Sequence, residues 1–377
     1  MRTSVARAGG SPLASSAARG VAAAYCFAVA AAAAAAAVVD VAAAAAADSR
    51  YRPDFRVYWN VPTFGCHRYG MAFNVSSAWG VVQNAEDAFR GERLTILYDP
   101  GLFPALVQEG GKTVARNGGA PQEGDLNRHL AALARDVDRL VPDVNFSGIG
   151  VVDMESWRPV WRQLFGSFKP YKEFSRQIER RRHPTYSEAQ IEAEARSRFE
   201  AAAKTFMETS LELVSQMRPR AIWGYYAFPY CFNAPLQGCP AQVEQENNKL
   251  QWLFDASGAL FPSVYLGSQT PRPGDRQAFV RARVAEAKRL AARAPRLVGP
   301  RVFAYVRYNY YDTADFLSPD ALYTSIATPK NMDVNGVVIW GSWNDVKTKA
   351  KCEALQSYVG SVLGPIVKNL TDVSNNP

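Results

Sequence analysis

Asp153 and Glu155 stand two residues apart in the stretch Gly148-Ile149-Gly150-Val151-Val152-Asp153-Met154-Glu155-Ser156-Trp157-Arg158-Pro159. Residues 149–152 are apolar and mostly β-branched, and the run is too short for an ordinary helix. They predict a buried strand that runs out into a polar, aromatic end. Side chains alternate along a strand, so both carboxyls point to the same side. Two acids held that close repel. One pKa rises while the other group stays ionised, which is how a general acid keeps its proton near neutral pH. An isolated Asp-x-Glu is more often a pair of solvated acids at a strand end. Its surroundings must decide.

Those surroundings repeat a pattern. Candidate strands lie at 55–61, 94–98, 148–154, 221–226, 261–266, 302–305 and 336–340. Helical periodicity falls between and after them, at 85–89, 126–140, 187–217, 241–254, 276–292, 320–327 and 346–362. Ser187 with Gln190 reads as a helix cap and its reciprocal partner. Seven β units alternating with helices imply parallel strands and right-handed crossovers. The expected fold is α/β, a distorted TIM-like barrel of about seven strands in one domain. No Gly-x-Gly-x-x-Gly follows the first strand, so a dinucleotide fold has no positive signal. The strands end in Tyr58-Trp59-Asn60, Tyr98-Asp99-Pro100-Gly101, Trp223-Gly224-Tyr225-Tyr226, Tyr265 and Trp340-Gly341-Ser342-Trp343. Carboxyl ends of barrel strands form the active face. Acids ringed by Tyr and Trp on that face read as a glycan cleft, because core packing does not explain so many aromatics at one end.

Composition narrows the setting. A chain that is 48% hydrophobic and 12% aromatic, with 17 Tyr and 8 Trp, is globular and well supplied with rings for stacking on sugars. A formal charge of +8 favours an anionic partner. No zinc-finger or basic-aromatic motif accompanies it, so nucleic acid is not expected. Arg2, Arg7 and Arg19 precede an Ala/Val-rich run at 21–47, ending in small residues before Asp48. This pattern predicts a secretory signal over 1–47, an extracellular protein and no stable membrane anchor, since alanine is only weakly hydrophobic. A signal anchor is the rival reading. The barrel is expected over 51–370, with a short tail at 371–377. Four cysteines then remain, Cys66, Cys231, Cys239 and Cys352, an even number suited to two disulfides. Three pairings are open. The short Pro/Gly-containing loop favours Cys231–Cys239, which would leave Cys66–Cys352. Asn74, Asn145 and Asn369 open glycosylation sequons. With three His and no zinc-type spacing, neither a metal nor a cofactor is expected. The sequence does not set the oligomeric state.

The chain resembles the hyaluronidases of animals, most closely those of arthropod venoms and related secretions. The matching stretches are Tyr58-Trp59-Asn60-Val61-Pro62-Thr63, Ile96-Leu97-Tyr98-Asp99-Pro100-Gly101, Asn117-Gly118-Gly119 and Gly150-Val151-Val152-Asp153-Met154-Glu155-Ser156-Trp157-Arg158-Pro159. Further matches are 223–231, Pro262-Ser263-Val264-Tyr265-Leu266 and Ile339-Trp340-Gly341-Ser342. The resemblance runs from Phe55 to about Lys368. It implies a secreted endo-glycosidase on a seven-stranded barrel that cuts hyaluronan at N-acetylglucosamine β-1,4 linkages, with disulfides Cys66–Cys352 and Cys231–Cys239. It also implies Glu155 as proton donor, Asp153 and Tyr226 as handlers of the substrate acetamido group, and Tyr98, Arg158, Tyr265 and Trp340 as residues lining the cleft; Asp99, Arg283 and Ser342 are further candidates for substrate binding.

Physical argument favours the same chemistry. A retaining glycosidase usually sets an acid and a carboxylate nucleophile across the scissile bond. Two acids on one side of one strand fit opposed roles poorly, and attack by the substrate's own acetamido oxygen removes the difficulty. A chitinase-like enzyme shares the Asp-x-Glu ending but wants further acids upstream, where this chain has Gly148 and Val151. A non-catalytic glycan-binding protein is the other alternative, and retention of Asp153, Glu155 and Tyr226 together argues against it. Arg158, Arg283 and Arg307 are candidates to meet the carboxylates of hyaluronan or of a related anionic glycan such as chondroitin. The chain departs from the arthropod pattern at Trp343-Asn344-Asp345, at Gly267-Ser268-Gln269, at Val306-Arg307 and in a shortened loop between Cys231 and Cys239. All four lie at the cleft rim.

Overall fold

The computed structural model describes residues 54–233, 238–269, 272–295 and 298–372. The expected leader (1–47) and residues 373–377 of the tail lie outside the described residues. Seven parallel strands form the frame: β1 (Arg56–Asn60), β2 (Leu94–Tyr98), β5 (Ile149–Asp153), β6 (Ile222–Tyr225), β7 (Ala259–Leu260), β8 (Arg301–Arg307) and β9 (Gly336–Trp340). They pair as β2-β5-β6 and as β1-β9-β8-β7. A parallel bridge from Tyr226 to Phe261 joins the two arcs on one side. On the other, Val82 bridges to Tyr58, and the Asn84 side chain exchanges hydrogen bonds with the backbone of Leu94. The sheet thereby closes into a distorted barrel.

Period-two alternation sorts each strand into an inner and an outer row. Leu94, Ile96, Ile149, Val151, Phe261, Phe303, Tyr305 and Val338 fill the interior. Their alternate neighbours, among them Leu97, Val152, Ala304 and Ile339, pack outward against the helices. Gly224 faces the crowded interior, where an added Cβ would come within 2.1 Å of the Ala259 carbonyl. Continuing the inward rows by one step places Asn60, Tyr98, Asp153, Arg307 and Trp340 at the carboxyl end of the barrel. Registers Asn60–Trp340, Arg307–Trp340 and Tyr98–Asp153 hold them at one level.

The helices follow the sequence where their apolar faces are regular. Leu126–Leu140 buries His129, Leu133 and Val137 at four-residue spacing. Glu188–Met217 starts at the expected Ser187–Gln190 capping box. Other expectations need correction. The segment 85–89 is only a 3₁₀ turn, Ala85–Asp87, with Glu86 and Asp87 at positive φ. The helix expected at 241–254 breaks at Leu250. The last helix is Lys349–Tyr358, a π turn and then Gly364–Thr371. The strand expected at 261–266 is Ala259–Leu260 followed by single bridges. Besides short turns and the five-residue helix Val75–Trp79, a longer helix and a hairpin were not expected. Helix Lys169–Arg182 is so polar that its buried face includes Ser175 and Glu179. A hairpin, β3 (Ala105–Glu109) with β4 (Lys112–Arg116), turns at Gly110-Gly111, both at positive φ. That Gly-Gly pair is a readable hairpin signal.

Both disulfides, Cys66–Cys352 and Cys231–Cys239, are formed. Asn74, Asn145 and Asn369 are all exposed. No helix among the described residues is long and apolar enough to cross a membrane.

Candidate active site

The acids lie where β5 leaves the barrel. Asp153 is its last residue and is buried, while Glu155, two residues on, is exposed. The two carboxyls lie close enough to act on each other. The Asp153 carboxyl is pushed up to about 8, first by burial, then by the charge and hydrogen bond of Glu155, then by the charge of Asp99. Two interacting acids titrate as a unit, so the pair retains one proton at neutral pH. Sequence reasoning assigned that proton to Glu155. Burial and the neighbouring negative charges favour a proton on the pair, which the two carboxyls share. Asp153 Oδ1 is buried and has no hydrogen-bond partner, which leaves an acceptor unused beside the strand end.

Aromatic hydroxyls and rings surround the pair. Trp340 Nε1 donates to Tyr98 Oη at 2.7 Å, a bond across the barrel mouth. Burial, with smaller contributions from Asp153 and Glu155, pushes the Tyr98 phenol up to about 12, so it stays protonated. Tyr226 sits with its hydroxyl 3.5 Å from Ser263 Oγ and its ring 6.3 Å from that of Tyr265. Its phenol is raised mainly by burial, and both acids add to the shift. Tyr265 stacks on Trp340 at 6.2 Å. The Arg307 guanidinium lies 5.0 Å from the Trp340 ring and 5.8 Å from that of Tyr265, which sets a cation between two cleft aromatics.

The structure gives other predicted residues different surroundings. Arg158 does not stand free beside the acids. Phe165, Phe168, Tyr230 and Phe232 enclose its guanidinium at 4.8–4.9 Å, and its Nη1 donates to the Gln163 carbonyl. Arg283 donates to Asn233 Oδ1 and to the Ser263 carbonyl at 2.6 Å beneath the cleft wall, so it ties loops together inside the protein. Asp99 is held by both terminal nitrogens of Arg116. Ser342 caps the turn Trp343–Asp345, and its backbone N–H donates to Asp345. Sequence reasoning overlooked Arg116, Asn60 and Tyr305. Asn60 was legible, since it shares the inward parity of Tyr58. Tyr305 lies one inward step below Arg307 with its hydroxyl buried and unpartnered. Among the described residues, the set close enough to hold a metal ion is Glu179, His183 and Glu194, on the outer helices.

Comparison with known proteins agrees with this geometry. The hyaluronidase family profile matches residues 45–376. A hyaluronidase of Apis mellifera is 44% identical over 330 residues, covering 86% of each chain. Hyaluronidase A of Vespula vulgaris is 42% identical over 327 residues, 85% of this chain and 98% of the relative. A hyaluronidase of Tabanus yao is 37% identical, over 83% and 91%. The crystal structure of bee venom hyaluronidase in complex with a hyaluronic acid tetramer superimposes with a TM-score of 0.81. It is 44% identical and covers 84% of this chain and 99% of that one. With an acid pair at the mouth of a seven-stranded barrel and a family match over nearly its whole described length, this chain belongs to the hyaluronidase family of glycoside hydrolases.

Proposed function

We propose that this chain hydrolyses the β-1,4 linkages of hyaluronan as a secreted, endo-acting β-N-acetylhexosaminidase, with retention of configuration and with the substrate's acetamido group as nucleophile. Similarity to enzymes named hyaluronidase over most of the chain favours hydrolysis over a purely binding role. The observation that carries the mechanism is the acid pair: a proton held to about pH 8 and a buried, unpartnered Asp153 oxygen beside an exposed Glu155.

In this reading an N-acetylglucosamine unit enters with its acetamido N–H toward Asp153. Asp153 accepts that hydrogen bond, and the proton shared by the pair moves to Glu155. The acetamido oxygen attacks the anomeric carbon. The glycosidic C–O bond breaks, and the leaving oxygen takes the proton from Glu155. The cyclic cation that results lies against the Asp153 carboxylate, whose charge stabilises it. Glu155, now ionised, removes a proton from water. The water oxygen bonds to the anomeric carbon from the face just vacated, and the acetamido group is restored. Two inversions give net retention. Tyr226 supplies a hydroxyl to the acetamido group, and Tyr98, Tyr265 and Trp340 hold the sugar ring. Arg307, which donates to Asn309 and pairs with Asp345 at 3.8 Å, is the arginine set against the cleft rings Trp340 and Tyr265 and adds positive potential for uronate carboxylates, whereas Arg158 and Arg283 are engaged away from those rings. Two disulfides and similarity to a bee venom protein support secretion.

The test is release of new reducing ends from hyaluronan by the parent and by Glu155→Gln, with chondroitin and chitin oligomers in parallel. The expected result is cleavage of hyaluronan by the parent and a loss of about 10²–10⁴-fold in the variant. Undiminished cleavage by Glu155→Gln would remove Glu155 from the mechanism.

A further inference from the structure

Trp343 and Phe64 are large aromatic residues left outside the core, 47% and 42% exposed. Their rings meet at 5.6 Å and 40°. They follow β9 and β1, whose last residues, Trp340 and Asn60, are partners in register. Trp343 is three residues beyond Trp340, so the two lie within about 11 Å along the chain. Both rings therefore belong to the same end of the barrel as the acid pair, at the seam between β1 and β9.

The ledge they form is fixed. Trp343 opens a turn whose Asp345 accepts from the Ser342 backbone and from Tyr308 Oη, each at 2.9 Å. Its ring lies against Gly65, where an added Cβ would come within 2.7 Å. The neighbouring Cys66 is tied to Cys352. The ledge is also cationic. The exposed Arg68 guanidinium lies 5.6 Å from the Trp343 ring, and its Nη2 donates to the Lys347 carbonyl. Lys347 and Lys351 both bond to Asn344 beside it. A rigid exposed indole offers an apolar face to a pyranose ring, and the cations beside it suit carboxylates.

We propose that Trp343 and Phe64, flanked by Arg68 and Lys347, form a distal sugar subsite that extends the cleft beyond Trp340 and takes further units of a uronate-containing chain. This rests on the glycan-cleaving reading of the acid pair and adds to it a preference for long substrates.

The experiment compares kcat/KM on polymeric hyaluronan and on the shortest hyaluronan oligosaccharide the parent cleaves, for parent, Trp343→Ser, Phe64→Ser and Arg68→Gln. Trp343→Ser should lower the polymer-to-oligosaccharide ratio about five- to tenfold, the loss of one good ring contact. Phe64→Ser should lower it less. Arg68→Gln should lower it about two- to threefold at low salt, with the difference vanishing as salt rises. A ratio unmoved by all three variants, or equal losses on both substrates, would overturn the proposal. If the parent cleaves neither substrate, the catalytic reading fails on its own. The subsite is then judged by binding of the parent to long and short hyaluronan chains. Length-dependent binding lost in Trp343→Ser supports it, and binding unchanged by the substitution overturns it.

Discussion

Asp153 and Glu246 are buried to nearly the same depth, 8% and 5% exposed, in opposite electrostatic settings. Glu246, on the helix Ala241–Lys249, accepts hydrogen bonds from Arg162 and from Gln163 Nε2. Burial alone would raise its pKa, yet these hydrogen bonds and the Arg162 charge hold it below the usual carboxylate range. Asp153 has no such partner. The charges that act on it belong to Glu155 and Asp99, both negative, and the cation nearest Asp99 is bound to Asp99 itself. One buried acid has been neutralised by a cation and serves to join helix to loop. The other has been kept short of cations and holds a proton instead. A carboxyl that costs stability while its neighbour stays exposed to solvent marks the place where the fold serves chemistry.

The contrast can be broken most forcefully at Asp153. Asp153→Asn should lower kcat/KM by about 10²–10⁴-fold, because the variant neither passes a proton nor balances a cation. It should at the same time stabilise the protein. A raised folded pKa means that the native state holds a proton the unfolded chain has already released, so the parent loses stability as pH rises from about 4 toward 8. Asparagine does not titrate. The thermal midpoint of the variant relative to the parent should therefore climb over that range, by roughly 1–2 °C for each kcal/mol regained, and then level off. A gap that does not change with pH would show that Asp153 ionises freely.

The opposite intervention applies at Glu246. Arg162→Met strands a buried carboxylate and should cost about 1–3 kcal/mol in denaturant unfolding, less than a fully buried pair would because Arg162 is 42% exposed. Adding Glu246→Leu should restore most of the loss. Activity on hyaluronan should follow the folded fraction alone.

The pH profile sharpens the comparison further. The alkaline limb of kcat/KM should fall near pH 8, as the acid pair gives up its proton. Asp99→Asn removes one negative charge that holds the proton on Asp153, and should draw that limb down by about half a unit. Glu246→Gln should leave the limb in place. The smallest effect is expected for Tyr98→Phe, which breaks the bond from Trp340 and should raise KM about three- to tenfold with little change in stability. A variant with kinetics identical to the parent would remove that hydrogen bond from substrate positioning.

Much of this was legible along the chain. The strands at 94–98 and 336–340 have the predicted bounds, because their apolar runs are bounded by Arg93 and Asp99 in the first and by Asn335 and Gly341 in the second. The Ser187 cap and the one-sided helix after it were readable for the same reason. Parity along β5 put Asp153 and Glu155 on one side before any contact was known. The polar helix Lys169–Arg182 escaped notice because it lacks an apolar face, and it is held by packing against Glu188–Met217.

Periodicity, capping and the Asp-x-Glu spacing are properties of neighbouring residues, so the sequence by itself determined the barrel's strands, the level of the acids and the family resemblance. The fates of individual charges depend on what arrives through space. Only the tertiary structure decided that Tyr230 and Phe232 would join Phe165 and Phe168 around Arg158, that Arg283 would turn inward, and that burial would be the largest cause of the raised Asp153 pKa. Local spacing encodes that two acids lie close enough to perturb each other, but burial and the partners of each cation come from groups dozens of residues away.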